Sequence, residues 1–507
     1  MMNANGMSRR RFGALSFGGA ACAALPSWAA GSLAPVDGLA RARPEQQGVD
    51  AQAVIAFLDD VAANELELHD FMLARGGKVV AQGAWWPYRT DRLHMLHSAT
   101  KSFAVSGAAI AIDEGRFGLD DKVISFFPGE LPANVSDNLA AMRVRDLLSM
   151  ESGHEFEISG SAWRPIKTSW VAEFLKVPVV HRPGTTFVYS SAVSFMISAI
   201  VSKTTGQSLR DYMEPRFFTP LGIGGIEWES GPGGITPGGN GLNARIADLL
   251  KLGLLYNQGG MWRGKRILSP QWVKAATAPQ VASGEYGYQW WIGPGGAYYA
   301  LGLFGQLSIV FPQHDAVLAL FSAADFSARL LPLVWKHFPS AFDGGRAADG
   351  AALAGRLAGA RVLPPLRGSN SPLVARINGR TFRAEPNSDG IESLRFDFAG
   401  GRCRFTLNDA RGTHRVEVGL RDWVEARTTM TGNKLHHQYQ PESMAVVAGG
   451  TWRDPSTFEM TWQFVETVFR DTVRCRFDGD AMTFKRSVNI NSASTALPAV
   501  RAVMTKD

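Results

Sequence analysis

Two pairs of strand-like segments lie far apart in this chain, with helical periodicity filling the space between them. Phe71-Met-Leu-Ala-Arg and Lys78-Val-Val-Ala-Gln flank Gly76-Gly77 and read as a hairpin. The next strand signals come at 298–323, where Leu307-Ser-Ile-Val-Phe-Pro and Ala316-Val-Leu-Ala-Leu-Phe flank Gln313-His314-Asp315. Between them, Phe103, Gly107, Ile110 and Ala111 repeat with a 3.6-residue period after Ser98, and Glu114-Gly115 ends the run. Helical segments continue from 139 to 280, broken by Gly and Pro at 183–184 and 231–238, and a last helix ends near His337. A sheet closed by such distant segments is an α+β arrangement. The expectation is an antiparallel sheet flanked by helices, with an inserted all-helical subdomain.

The pattern changes after an Ala/Gly/Pro-rich stretch at 343–372, which reads as a linker containing one short helix. Beyond it the period is two. Ser393-Leu-Arg-Phe-Asp-Phe, Arg402-Cys-Arg-Phe-Thr-Leu and Thr413 to Val418 form a meander, Phe458 to Phe464 alternate again, and Asp478-Gly479 is a hairpin turn. The expected organisation is therefore a first domain at 30–342, a C-terminal antiparallel β domain at 373–490 and a flexible tail at 491–507.

Residues 1–29 carry Ser8-Arg-Arg-Arg-Phe12, a modestly apolar stretch from Ala14 to Leu25, and the small-residue exit Ser27-Trp28-Ala29-Ala30. That order is the one of a secretory signal, and the paired arginines resemble the twin-arginine type. The expected location is periplasmic or secreted. No apolar run is long enough to span a bilayer. The formal charge of +6 includes these three arginines, and what remains is nearly balanced, so nothing points to a nucleic-acid partner. Of the three cysteines, Cys22 falls in the leader. Cys403 and Cys475 either pair in an oxidising compartment or sit as small buried hydrophobes.

Several kinds of chemistry lack their motifs. There is no G-x-S-x-G, no H-E-x-x-H, no Walker loop and no dinucleotide fingerprint, and His436-His437 looks like an exposed pair rather than a ligand set. No metal or cofactor is expected. Ser98-Ala-Thr-Lys101 is the informative tetrapeptide, because Lys101 alone among thirteen lysines has a serine three places before it. Neighbours at i and i+3 share a helix face, so the amine is aimed back at the hydroxyl. A buried lysine of lowered pKa can deprotonate a serine, whereas arginine cannot. The start of a helix also favours an oxyanion.

Residues 97–123 resemble the serine β-lactamase and penicillin-binding-protein superfamily, most closely its class C-like branch with family VIII carboxylesterases and 6-aminohexanoate-dimer hydrolases. Asp146-Leu-Leu-Ser-Met-Glu-Ser-Gly-His154, Pro183-Gly-Thr-Thr-Phe-Val-Tyr-Ser-Ser191, Tyr286-Gly-Tyr-Gln-Trp-Trp291 and Gly302-Leu-Phe-Gly-Gln306 follow in the order that family shows. The resemblance covers about residues 40–340. It implies a β-lactamase/transpeptidase-like fold, Ser98 as nucleophile, Lys101 as base and Tyr189 as proton relay. It further implies that Ser191, Gly302, Leu303 and Gly305 contact substrate or line the oxyanion hole. The backbone N–H of Ser98 and one from 302–304 are the expected oxyanion donors. Two departures matter. Ser191 replaces the family's asparagine, and Ala300-Leu301-Gly302 stands where a Lys-Thr-Gly motif is usual, removing a cation for a substrate carboxylate.

Both losses weaken the β-lactamase and D-Ala-D-Ala peptidase readings, and the expectation is a serine hydrolase acting on a small neutral ester or amide, with no cofactor. The alternatives are a D-Ala-D-Ala peptidase or β-lactamase, and a penicillin-binding-like sensor that acylates once. His154 reads as a loop contact, and His94 and His97 as packing or rim residues. Trp85, Trp86, Trp290 and Trp291 could line an apolar cleft, although single tryptophans are more often core. Trp452 and Trp462 would offer stacking surfaces if the β domain bound carbohydrate, but strand-core aromatics are the better default.

Overall fold

The computed structural model describes residues 37–159, 162–344 and 350–505, so the leader expected at 1–29 lies outside the described residues. The first layer is a six-stranded antiparallel sheet. Its order is Lys78–Ala84, Glu67–Arg75, Ala316–Ala323, Gln306–Phe311, Tyr298–Gly302 and Trp291–Ile292. Phe71 lies opposite Leu320 and Leu73 opposite Leu318, so the distant segments meet at the centre of the sheet. Alternation decides which side chain meets which layer. Phe71, Leu73, Leu318 and Leu320 pack with the helices Ala51–Ala63 and Leu331–Ala341. Met72, Ala74, Val317, Ala319 and Phe321 face the helical part on the other side. The last of these helices runs past His337 to Ala341.

The helix Thr100–Asp113 is buried continuously from Thr100 to Ala111. A helix apolar on every side belongs in the middle of a core, and this one packs against the helix Ser191–Thr205. Its first turn is thereby fixed beside the end of the Tyr298–Gly302 strand, which is where the site forms.

Residues from Thr381 onward build a ten-stranded sheet in which consecutive strands run antiparallel. A parallel bridge from Gly419 in the first strand to Gly449 in Met444–Asp454, the last strand but one, closes the sheet as a barrel. Inward positions carry Phe382, Phe396, Phe405, Phe458, Trp462, Phe477 and Phe484, which fill the interior. Trp462 is fully buried and Trp452 nearly so, and neither offers a stacking face to solvent. Cys403 and Cys475 are buried free thiols in the same core.

One boundary expectation changes. The tail expected at 491–507 contains the strand Val500–Met504, which pairs with both Thr381–Ala384 and Ala481–Val488. Its alternation is short, and its role as the strand joining two distant parts of the sheet is a tertiary effect. Within the expected linker, the helix Gly350–Ala358 places Leu353 and Leu357 in the core beside the first sheet. The barrel is tied to the first part of the chain by polar contacts. Arg470 bonds Glu67 at 2.5 Å, Tyr88 Oη donates to Thr467 O at 2.9 Å, and Met95 N donates to Glu466 O at 2.9 Å. Both parts belong to one compact unit. Among the described residues no helix is long and apolar enough to cross a membrane.

Candidate active site

Ser98 lies in a 3-10 turn, His97–Ala99, that runs directly into the helix Thr100–Asp113. One turn later Lys101 is 2% exposed, so its whole side chain is enclosed. Its Nζ lies 3.0 Å from Ser98 Oγ, 3.0 Å from Ser191 Oγ and 2.8 Å from the carbonyl oxygen of Gly239. Burial strips the ammonium of water and lowers the Lys101 pKa from 10.5 to about 7, opposed only by the negative charge of Glu157. The geometry suits the neutral amine. A carbonyl only accepts, so one N–H goes to Gly239. A second goes to Ser191, and the nitrogen lone pair is left for the Ser98 hydroxyl proton.

Tyr189 completes the group. Its ring stands 4.8 Å from Lys101 Nζ, and Ser98 is near enough to act on its hydroxyl. Trp291 stacks on the other side at 5.5 Å. Burial raises the Tyr189 pKa well above its ordinary value, the Ser98 hydroxyl opposing and the Glu157 charge reinforcing the shift. The phenol therefore keeps its proton at neutral pH and acts as a donor.

Ser191 begins its helix, with its N–H donating to Glu157 Oε2 at 2.8 Å. Its hydroxyl bonds Lys101, so it orients the amine. Gly302 is required for close approach, since a β-carbon there would lie 2.1 Å from Leu96 O in the segment leading to Ser98. Leu303 lines the cavity with Ser98. Gly305 is not brought to the site. Its N–H donates to Gly302 O at 3.0 Å and is spent in the turn. His154 is buried, bonded to Ser152 and packed edge-on against Phe174, with its pKa lowered by burial to about 4. His94 is buried against Phe321, and His97 lies on the cavity wall. Trp290 is fully enclosed, whereas Trp291 stacks on Tyr189.

The Gly239 carbonyl was not singled out by the sequence. Gly238-Gly239 read as loop punctuation, yet a β-carbon on Gly239 would lie 2.7 Å from Ser191 O. The glycine lets this strand of backbone pass tightly enough to reach Lys101. The larger surprise is the cavity. It occupies about 970 Å3 and reaches from Ser98 to the barrel segments 388–389, 434–439 and 491–498. His436, expected to be exposed, is fully buried and bonded to Asp471 at 2.7 Å, which Arg486 also holds. The adjacent His437 turns into the cavity wall. Backbone strain gathers here. His97, Phe304, His437 and Gln438 have φ of +48°, +67°, +52° and +56° without being glycine. Their rings meet, with His97 5.7 Å from Phe304 and 6.3 Å from His437. Such conformations persist only where surrounding structure enforces them, and they concentrate at functional sites. Among the described residues no group of three or more His, Cys, Asp or Glu side chains is placed to hold a metal ion.

An α+β fold with a sheet closed by distant strands defines the class of protein. The beta-lactamase family profile matches residues 61–333, more than half of the chain, and the chain belongs to that family. It is similar to 6-aminohexanoate-dimer hydrolase of Paenarthrobacter ureafaciens, 25% identical over 329 residues, 58% of this chain and 83% of that one. It is also similar to lovastatin esterase of Penicillium rubens, 27% identical over 173 residues, 30% of this chain and 43% of the relative. The crystal structure of a family VIII carboxylesterase aligns over 59% of this chain and 98% of that one, with a TM-score of 0.47 at 15% identity.

Proposed function

We propose that the chain is an exported serine hydrolase that cleaves an ester or amide bond through an acyl-enzyme on Ser98. One observation carries the reading: a fully buried amine with a pKa lowered to about 7 lies 3.0 Å from the Ser98 hydroxyl. Ser98 Oγ attacks the substrate carbonyl while its proton passes to Lys101 Nζ. The developing oxyanion is received by the backbone N–H of Ser98, at a helix start, and by that of Leu303. Collapse expels the leaving group, which takes its proton through the Lys101 and Tyr189 pair. Water then attacks the ester on Ser98, its proton returning to Lys101, and the acid is released. The names of the similar proteins, an amide hydrolase and an esterase, support this substrate range. The sequence at 1–29 supports export.

The test is a panel of 4-nitrophenyl esters, anilides and a β-lactam, with mass spectrometry of the intact protein. The expected result is repeated turnover of an ester or amide and an adduct confined to Ser98. Release of a single equivalent without turnover would assign the chain to one-time acylation, the behaviour of a sensor.

A further inference from the structure

The loss of the family's strand cation favours a neutral substrate in the sequence alone, and the charged groups lining the cavity point the other way. Most of its lining comes from the barrel, whose segments stand across from Ser98. This wall is fixed rather than loosely appended. Asn243 Nδ2 donates to Tyr439 Oη at 2.8 Å across the junction, and Asn491 Nδ2 donates to Leu435 O at 2.7 Å, joining the two lining segments. Beneath them, the buried His436–Asp471–Arg486 group holds the loop from the barrel side.

The charged groups of the lining are Arg164, Lys434 and Asp389. His97 and His437 add no positive charge at neutral pH, because burial lowers both pKa values, with the neighbouring positive charges contributing in the same direction. Arg164 lines the same cavity as Ser98 from the first domain, with His97 and His437 also in that lining. It is 27% exposed and bonds Glu229 through Nη1 at 2.8 Å. Its remaining donors have no partner among the described residues. Lys434 stands on the barrel side, and no ion pair engages it among the described residues.

We propose that Arg164, with Lys434 of the barrel, receives a carboxylate on the substrate, so that the barrel forms the selecting wall of the site. This inference rests on the hydrolase reading and names its substrate class: an ester or amide bearing an anionic end. A partly enclosed guanidinium bound to a carboxylate gives roughly 10- to 100-fold selectivity.

Mono-4-nitrophenyl suberate and 4-nitrophenyl octanoate differ only in a terminal carboxylate against a methyl group, and their ratio of kcat/KM reads the subsite directly. The ratio is expected to favour suberate at least about 10-fold, mainly through KM. It should fall close to one in Arg164→Gln, be largely kept in Arg164→Lys, and fall several-fold in Lys434→Gln. A preference for octanoate, or a ratio unchanged in Arg164→Gln, overturns the subsite, and a ratio unchanged in Lys434→Gln removes the barrel from it. Calorimetry of suberic acid on Ser98→Ala protein separates the two proposals. Binding that Arg164→Gln abolishes supports the subsite even if neither ester turns over, in which case the hydrolase reading alone fails. Absence of suberate binding overturns the subsite while leaving hydrolysis of octanoate to stand or fall on its own.

Discussion

Replacing Lys101 by methionine should abolish activity and stabilise the protein near neutral pH. An unfolded lysine holds its proton to about pH 10.5, whereas burial holds the folded one to about 7. Between those values the unfolded chain binds the extra proton, so folding is penalised, and the penalty shrinks as pH rises. At pH 7 the difference of about 3.5 units corresponds to about 4 kcal/mol, and at pH 9 to about 2 kcal/mol. Methionine keeps the volume and removes that penalty. It also removes the hydrogen bond to the buried Gly239 carbonyl, at a cost of about 1–3 kcal/mol. The variant should therefore be more stable than the parent at pH 7 by about 1–3 kcal/mol, with the advantage gone or reversed at pH 9. Denaturant midpoints of both proteins at pH 7, 8 and 9 measure this. An advantage that does not change with pH, or a parent already more stable at pH 7, would refute a neutral buried amine.

Ser98→Ala should remove turnover while leaving thermal melting nearly unchanged, and Lys101→Arg should be inactive because a guanidinium does not give up its proton; steady-state assays and melting curves check both. The kcat/KM of the parent should rise with pH through about 7 as Lys101 loses its proton. Glu157→Gln removes the charge that raises this pKa, so the same limb of the pH profile should move to lower pH. Gly239→Ala forces a β-carbon to 2.7 Å from Ser191 O, and should lower kcat at least about 10-fold by displacing the carbonyl that holds Lys101, as single-turnover kinetics would show.

The parts of this molecule that were legible in the sequence are those whose pattern is local. The short continuous apolar run at Ala316–Ala323 and period 3.6 after Ser98 reflect burial that each segment imposes on itself, and both elements stand where expected. The Ser98–Lys101 contact follows from helix geometry alone. What escaped depends on segments remote in sequence. Nothing near Gly239 announces that its carbonyl will meet a lysine 138 residues earlier. His436 looks like a surface residue until Asp471 and Arg486 are folded around it. Gly305 belongs to a motif that resembles the family's, yet its amide is consumed by the turn that shapes the motif. The barrel's share in the cavity is invisible for the same reason: Asn491 and Leu497 carry no periodic signal that links them to residue 98.

A cavity that begins at Ser98 and includes Pro498 has a temporal consequence. Translation makes Ser98 long before it makes the opposite wall. Until the strand Val500–Met504 has emerged and paired on both sides, the barrel that carries that wall stays open between Thr381–Ala384 and Ala481–Val488. A nascent chain thus carries Ser98 without its enclosure until the strand Val500–Met504 is in place, and the cavity forms in one step rather than growing with the chain.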